Sequence, residues 1–208
     1  MPKVLPEYLE TRRRENLDAA AACFARHGFH QASMQDICGE ADLSPGAVYR
    51  YFRSKEEIIE AMCERNTVED AVTIRAAIDT ESTQDAFNEL TRIFLLGVQD
   101  HESCALSLQL LAEAPRNATI LASVRKGRTA VRDALTGFIR KGQARGEFNP
   151  SLDAEAVAHV MCSLYMGLII QLQAEPDLDL MAYARVTRAL FDGTFAGDQQ
   201  LANAAFLH

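Results

Sequence analysis

The 208-residue chain has no tryptophan, no Cys-x-x-Cys pair and no stretch in which apolar and polar residues alternate. The missing alternation argues against half-buried β-strands. The five cysteines (Cys23, Cys38, Cys63, Cys104 and Cys162) are odd in number and far apart. That pattern fits buried free thiols in a reducing compartment, and it does not fit a disulfide frame or a zinc site. With 6 prolines and 11 glycines the chain has too few breakers for a linker or a disordered protein. Positive charge is in deficit, 21 Lys and Arg against 29 Asp and Glu, for a net charge of −8. A general polyanion binder is thereby disfavoured. No GxSxG, phosphate-cradling glycine loop or HExxH appears, so an enzyme is not expected. The opening MPKVLPEYLETRRR has no apolar core for a signal peptide. The longest uncharged run, Ala156 to Ala174, carries His159, Ser163, Gln171 and Gln173, and reads as a buried helix rather than a membrane span. The expectation is a soluble, cytoplasmic protein with no cofactor, metal or membrane partner.

What is present is helical period nearly everywhere, giving an all-α expectation. A first helix runs from about Leu9 to His27, with Leu17, Ala20, Ala21 and Phe24 on one face and Gly28 at its C-terminal cap. Arg12, Arg13 and Arg14 lie outside that stripe, as a solvated face or a phosphate contact. Ser33-Met34-Gln35-Asp36 is a capping-box variant opening a second helix, whose Ile37 and Ala41 point inward. Asp42-Leu43-Ser44 makes a turn. Ser44 is placed as an N-cap and Pro45 at N1, so a third helix spans about Pro45 to Phe52. Val48 and Phe52 form its inner edge, which turns Ala47, Tyr49 and Arg50 outward. Ser54 and Glu57 cap a long fourth helix reaching about Ile78.

Two short helices joined by a three-residue turn, braced by longer helices before and after, describe a helix-turn-helix, here at about 33–52. The second helix of such a pair lies in the major groove. Small residues at Gly46 and Ala47 allow close approach. Tyr49 and Tyr51 suit phosphate oxygens or thymine methyls, and Arg50 a phosphate or a guanine edge. Lys55, in the first turn of the fourth helix, reads as a phosphate clamp. Because residues 1–65 hold 9 cations against 11 acids, such binding has to rely on placed cations rather than on a bulk field.

The run AAAACFARHGFHQASMQDICGEADLSPGAVYRYFRSKEEII resembles, without gaps, the DNA-binding domain of the TetR family of one-component transcriptional regulators. The likeness spans about Arg12 to Asp70, and Cys38-Gly39 departs from it where an alanine-rich stretch is usual. It implies a three-helix DNA-binding domain at 9–70 and a helical ligand-binding and dimerisation bundle at 71–208. It also implies DNA contacts at Ser33, Gln35, Ser44, Gly46, Ala47, Tyr49, Arg50, Tyr51 and Lys55. The partners implied are a palindromic double-stranded DNA operator, a small-molecule effector and a second copy of the chain. In the expected mechanism the effector tilts the fourth helix and lowers operator affinity. The pattern GEFNPSLDAEAVAHVM…GLIIQLQAEPD is similar to the C-terminal region of BetI-type members, a likeness that does not name a ligand. Repression is the family's commoner role. An activator, or a helical module that binds protein instead of DNA, is the alternative.

Beyond residue 78 the periods mark helices carrying Phe87, Leu90, Phe94 and Val98, then Leu106 to Ala114, then Ile120 to Phe138, then Ala154 to Ala174 after an Asp153 cap, and lastly Asp179 to Phe195. Ala154 to Ala174 is apolar nearly all round, more than one subunit's core covers. The expected dimer interface is therefore Val157, Val160, Leu164, Gly167, Leu168 and Leu172 with Tyr183, Leu190 and Phe191 of the last helix. The pocket the resemblance implies, between the fourth helix and the fifth to eighth, has Phe87, Phe94, Gln99, Gln109, Glu113, His159 and Tyr165 as candidate liners.

Overall fold

The computed structural model describes residues 6–80 and 82–191. The chain order is α1 (Pro6–Gln31), α2 (Met34–Glu40), α3 (Pro45–Tyr49), α4 (Lys55–Ile78), α5 (Thr83–Gly97), α6 (His101–Glu113), a 3-10 turn at Ala114–Arg116, α7 (Ala118–Ala144), α8 (Ala154–Ala174) and α9 (Leu180–Leu190). No strand occurs among the described residues, and the all-α reading holds. Phe191 closes the last described turn, and residues 192–195 of the expected last helix lie outside the described residues.

Local chemistry sets these boundaries. α1 passes the expected stop and kinks at Gly28 (φ 74°, ψ 161°), a backbone region essentially closed to residues with a Cβ. Ser33 and Asp36 cap α2 reciprocally: the Asp36 N–H donates to Ser33 Oγ (3.2 Å) and the Ser33 N–H to Asp36 Oδ2 (2.8 Å). These bonds favour the Asp36 carboxylate and hold its pKa below the usual value, the Ser33 hydroxyl contributing most. Asp42 (φ 51°) takes the left-handed turn position that Asp tolerates. α3 is shorter than expected, five residues from Pro45 at N1. Asp85, Ala156 and Ala182 present their N–H groups to the capping side chains of Ser82, Asp153 and Asp179.

The chain divides into two compact units, and not at a single point: Met1–Glu69 packs with Asp100–Arg128, and Asp70–Gln99 with Thr129–His208. The helix-turn-helix thus shares its core with α6 and the start of α7. In the first unit Leu17, Ala20, Phe24, Ile37, Phe52, Ile58 and Met62 pack with Leu106, Leu110 and Ile120. In the second, Ile74, Ala86, Leu90, Leu135, Phe138, Ile139, Val157, Ala158, Met161 and Phe191 form the core. α8 is the one helix among the described residues long and apolar enough to cross a membrane. Seven of its residues are buried, and four of them, Ala154, Val157, Ala158 and Met161, belong to that core.

Candidate nucleic-acid interface and an apolar cavity

Val48 (0% exposed) and Phe52 (1%) anchor α3 and its following turn in the first unit's core. That anchoring decides which side chains face outward. Ser33, Gln35, Ser44, Gly46, Tyr49 and Arg50 are exposed, and Ala47 is half-buried beside them. Tyr49 is half exposed (50%). No heavy atom lies within 4 Å of where a Cβ on Gly46 would stand, so that position opens onto solvent. Ser44 occupies the N-cap position, but its side chain makes no cap hydrogen bond, contrary to the expected cap. The face therefore gathers a guanidinium, a phenol, an amide and two hydroxyls around a small-residue centre. Such donors suit phosphate oxygens and major-groove base edges. Arg13 stacks over the Phe52 ring (5.3 Å) and Arg12 is held by Tyr8 Oη and Glu15, so these two cations brace α1 within the protein.

Two expected contacts are placed differently. Tyr51 is half-buried against the core. Lys55 does not present its ammonium as an outward clamp. Its Nζ donates to the carbonyl oxygens of Phe29 and of Ala32 (3.2 Å for the latter), tying the end of α1 to the start of α4. The Phe29 carbonyl lies in the last turn of α1 and the Ala32 carbonyl just past its end, where helical partners run out, and the ammonium serves them.

The second unit contains an apolar cavity of about 50 Å³, open to solvent at its mouth, between α5, α8 and α9. Of the expected liners it includes Phe87, Phe94 and Tyr165. Phe94 and Tyr165 stack at 4.9 Å with 31° between rings, and Phe87 meets Phe191 at 5.1 Å. A Cβ on Gly97 would lie 2.8 Å from Tyr165 Oη, so a glycine there is what lets the phenol lie flat against α5. Gln99, Gln109, Glu113 and His159 do not line it. Gln99 is exposed past the end of α5, and His159 is exposed on α8. Gln109 and Glu113 belong to the first unit, where Glu113 pairs with His30 (2.9 Å). The sequence could not foresee that α6 packs on α1. Missed liners include Leu164, Leu168, Tyr183, Thr187 and Arg188. Thr91 Oγ1 donates to the Phe87 carbonyl (2.9 Å) and Tyr183 Oη to the Leu164 carbonyl (3.0 Å), so these wall hydroxyls have partners on the protein itself. Desolvation raises the Tyr183 pKa and keeps the phenol a donor. Arg188 stacks over Phe87 (4.8 Å) and donates from Nη1 to Asn88 Oδ1 (3.0 Å).

The residues expected at a dimer face divide between two environments, with Val160, Gly167 and Leu190 on the outward side. Val157, Leu168, Leu172 and Phe191 are buried in their own unit's core, and Leu164 and Tyr183 line the cavity. The outward stripe of α8 is instead Ala156, Val160, Ser163, Gly167, Ile170 and Ala174, at spacings of three and four and without a charge. Val160 (46% exposed) and Ile170 (57%) join Met181, Val186 and Leu190 of α9 as exposed apolar side chains.

Comparison with known proteins accords with this geometry. Residues 17–62 match the description "Bacterial regulatory proteins, tetR family", and residues 77–184 match "Tetracyclin repressor-like, C-terminal domain". The chain is 28% identical over 193 residues to the HTH-type transcriptional regulator UidR of Escherichia coli K12, covering 93% of this chain and 97% of that one. Among solved structures, GusR of Salmonella enterica superposes with a TM-score of 0.76 at 26% identity, covering 92% and 97% of the two chains. A complex of SmeT, from Stenotrophomonas maltophilia, with triclosan shares the fold, with a TM-score of 0.77 at 21% identity over 91% and 93%. The chain belongs to the tetR family of bacterial regulatory proteins, and it is a DNA-binding transcriptional regulator built on a helix-turn-helix.

Proposed function

We propose that the protein acts in the cytoplasm as a homodimeric repressor that grips a palindromic operator and is released from it by a small molecule lodged in the apolar cavity. The observation that carries the reading is the division of labour across α3 and the turns beside it: Val48 and Phe52 are fully buried while Ser44, Gly46, Tyr49 and Arg50 face outward. Tyr49 is assigned a phosphate contact, and Arg50 and Gln35 base edges, with Ser33, Ser44, Gly46 and Ala47 close to the backbone or groove floor. Lys55 is left out of the direct contacts because its ammonium serves carbonyls within the protein. Dimerisation is supported by the uncharged stripe of α8 and its exposed neighbours on α9. A two-fold assembly would set two α3 helices about 34–36 Å apart, or a multiple of that, on the duplex. Release follows if the effector prefers a conformation whose reading heads no longer match the half-site spacing.

The test is a gel shift on the promoter region of the protein's own gene at several salt concentrations. Wild type is expected to bind with affinity falling steeply in salt, as counterions are released. Tyr49→Ala is expected to weaken binding roughly tenfold while leaving the thermal melt unchanged, because the ring is exposed. Undiminished binding by Tyr49→Ala would remove α3 from the interface.

A further inference from the structure

The first unit commits most of its cations near the helix-turn-helix to the protein itself. Lys55 serves the Phe29 and Ala32 carbonyls, Arg12 is held by Tyr8 and Glu15, and Arg13 lies over the Phe52 ring. Arg26 and Arg65 pair with Glu40 and Asp18. On the turn that follows α3 two guanidinium groups remain, those of Arg50 and Arg53, both exposed and without a side-chain partner among the described residues. The residues of this unit outside the described range, 1–5, include no acid that could take either one. We infer that Arg53 is the cation that grips a DNA phosphate beside the recognition helix, in the place that Lys55 leaves open, and that it adds affinity without reading sequence. The inference rests on the reading of α3 as the helix that contacts DNA.

Local geometry fixes where Arg53 stands. Phe52, buried in the core, anchors the residue before it, and the Arg53 N–H donates to Glu57 Oε2 (2.6 Å), so the backbone that carries the side chain is held. That bond occupies Glu57, and Glu56 is drawn to its own N–H and to the Ser54 hydroxyl. Neither acid of the first turn of α4 therefore holds the guanidinium. The N-terminal residues of a recognition helix approach base edges, and Arg53 lies past the other end of α3. A cation there meets the sugar-phosphate backbone, where contacts set register and orientation and carry no sequence information. A guanidinium presents two parallel donors to a phosphate, a geometry an ammonium lacks. With acids outnumbering cations over residues 1–65, one placed guanidinium supplies a large share of the attraction.

The experiment is fluorescence anisotropy of the purified full chain with two labelled duplexes of equal length, one from the promoter region of its own gene and one of unrelated sequence, at stepped salt. Arg53→Gln is expected to weaken binding to both duplexes by a similar factor, roughly tenfold at low salt, and to lower the slope of log affinity against log salt by about one per subunit. Arg53→Lys should keep the slope, because the charge stays, and lose part of the affinity with the fork. Thermal melts of both variants should match wild type, since the side chain is exposed and the bond to Glu57 comes from the backbone. An unchanged slope in Arg53→Gln overturns the phosphate contact, and a loss confined to the promoter duplex overturns it by making Arg53 a base reader. Tyr49→Ala and Arg50→Ala, measured alongside, separate the two readings. If both bind as wild type does, α3 is not the interface and the assignment falls with it. If both bind weakly and Arg53→Gln does not, the assignment alone fails.

Discussion

At the scale of single residues the position most changed by the structure is Lys55. A lysine at a helix start, directly after a recognition helix, reads as a phosphate ligand. Here its Nζ closes the carbonyls of Phe29 and Ala32, at and just past the C-terminal end of α1. Lys55→Met is therefore expected to lower stability by about 1–2 kcal/mol, the worth of charge-assisted bonds in a half-buried setting. A thermal or urea melt checks this. The slope of log affinity against log salt for DNA should stay as in wild type, whereas loss of a true phosphate contact lowers that slope by about one. The cysteines behave as the sequence suggests. Burial, the largest cause, pushes the Cys63 thiol up to about 11, and Cys23, Cys38 and Cys104 are raised by the same cause. These side chains pack as small hydrophobes and hold almost no thiolate at neutral pH.

At the scale of elements the capping box of α2 makes a pH-dependent contribution with a definite sign. Ser33 bonds depress the Asp36 pKa in the folded protein. The stabilisation is thus complete above the ordinary Asp value near 3.8 and is lost as pH falls through the lower, folded value. Asp36→Ala should melt below wild type at pH 7 and converge on it as pH is lowered well below the ordinary Asp value, followed by circular dichroism at stepped pH. This box was legible in the sequence because every atom of it lies within four residues. The same holds for the inward turn of Val48 and Phe52, for Pro45 at N1 and for the Asp153 cap of α8. The cavity and the outward side of α8 were half legible, for a different reason. α8 is apolar on nearly every side, so its sequence does not say which side the subunit keeps, and Val157, Leu168 and Leu172 proved to be core while Val160 and Ile170 face out. Gln109 and Glu113 carry the right chemistry for a pocket, but α6 packs on α1 across some eighty residues of chain, a choice made by tertiary fit.

At the scale of the whole molecule, the exposed stripe of α8 argues for a second copy more strongly than composition does. Val160→Glu combined with Ile170→Glu places two carboxylates on that stripe without touching the core. The variant is expected to elute as a monomer at micromolar concentration by light scattering, to keep its helical content, and to lose operator affinity well beyond tenfold because the two reading heads no longer act together. A double variant that remains dimeric moves the interface elsewhere. The return of residues 100–128 to the first unit has a separate consequence. α4 runs unbroken past Glu69 and α7 past Arg128, so two of the three crossings lie inside helices, and the third falls in the turn between α5 and α6 at Gln99–Asp100. A fragment ending at residue 69 would keep every outward group of α3, yet it would strip Leu106, Leu110 and Ile120 from the cluster around Phe24 and Ile58. The part of the chain that touches DNA is not a detachable head. It holds its shape on loan from a segment that the chain reaches only after building part of the other unit.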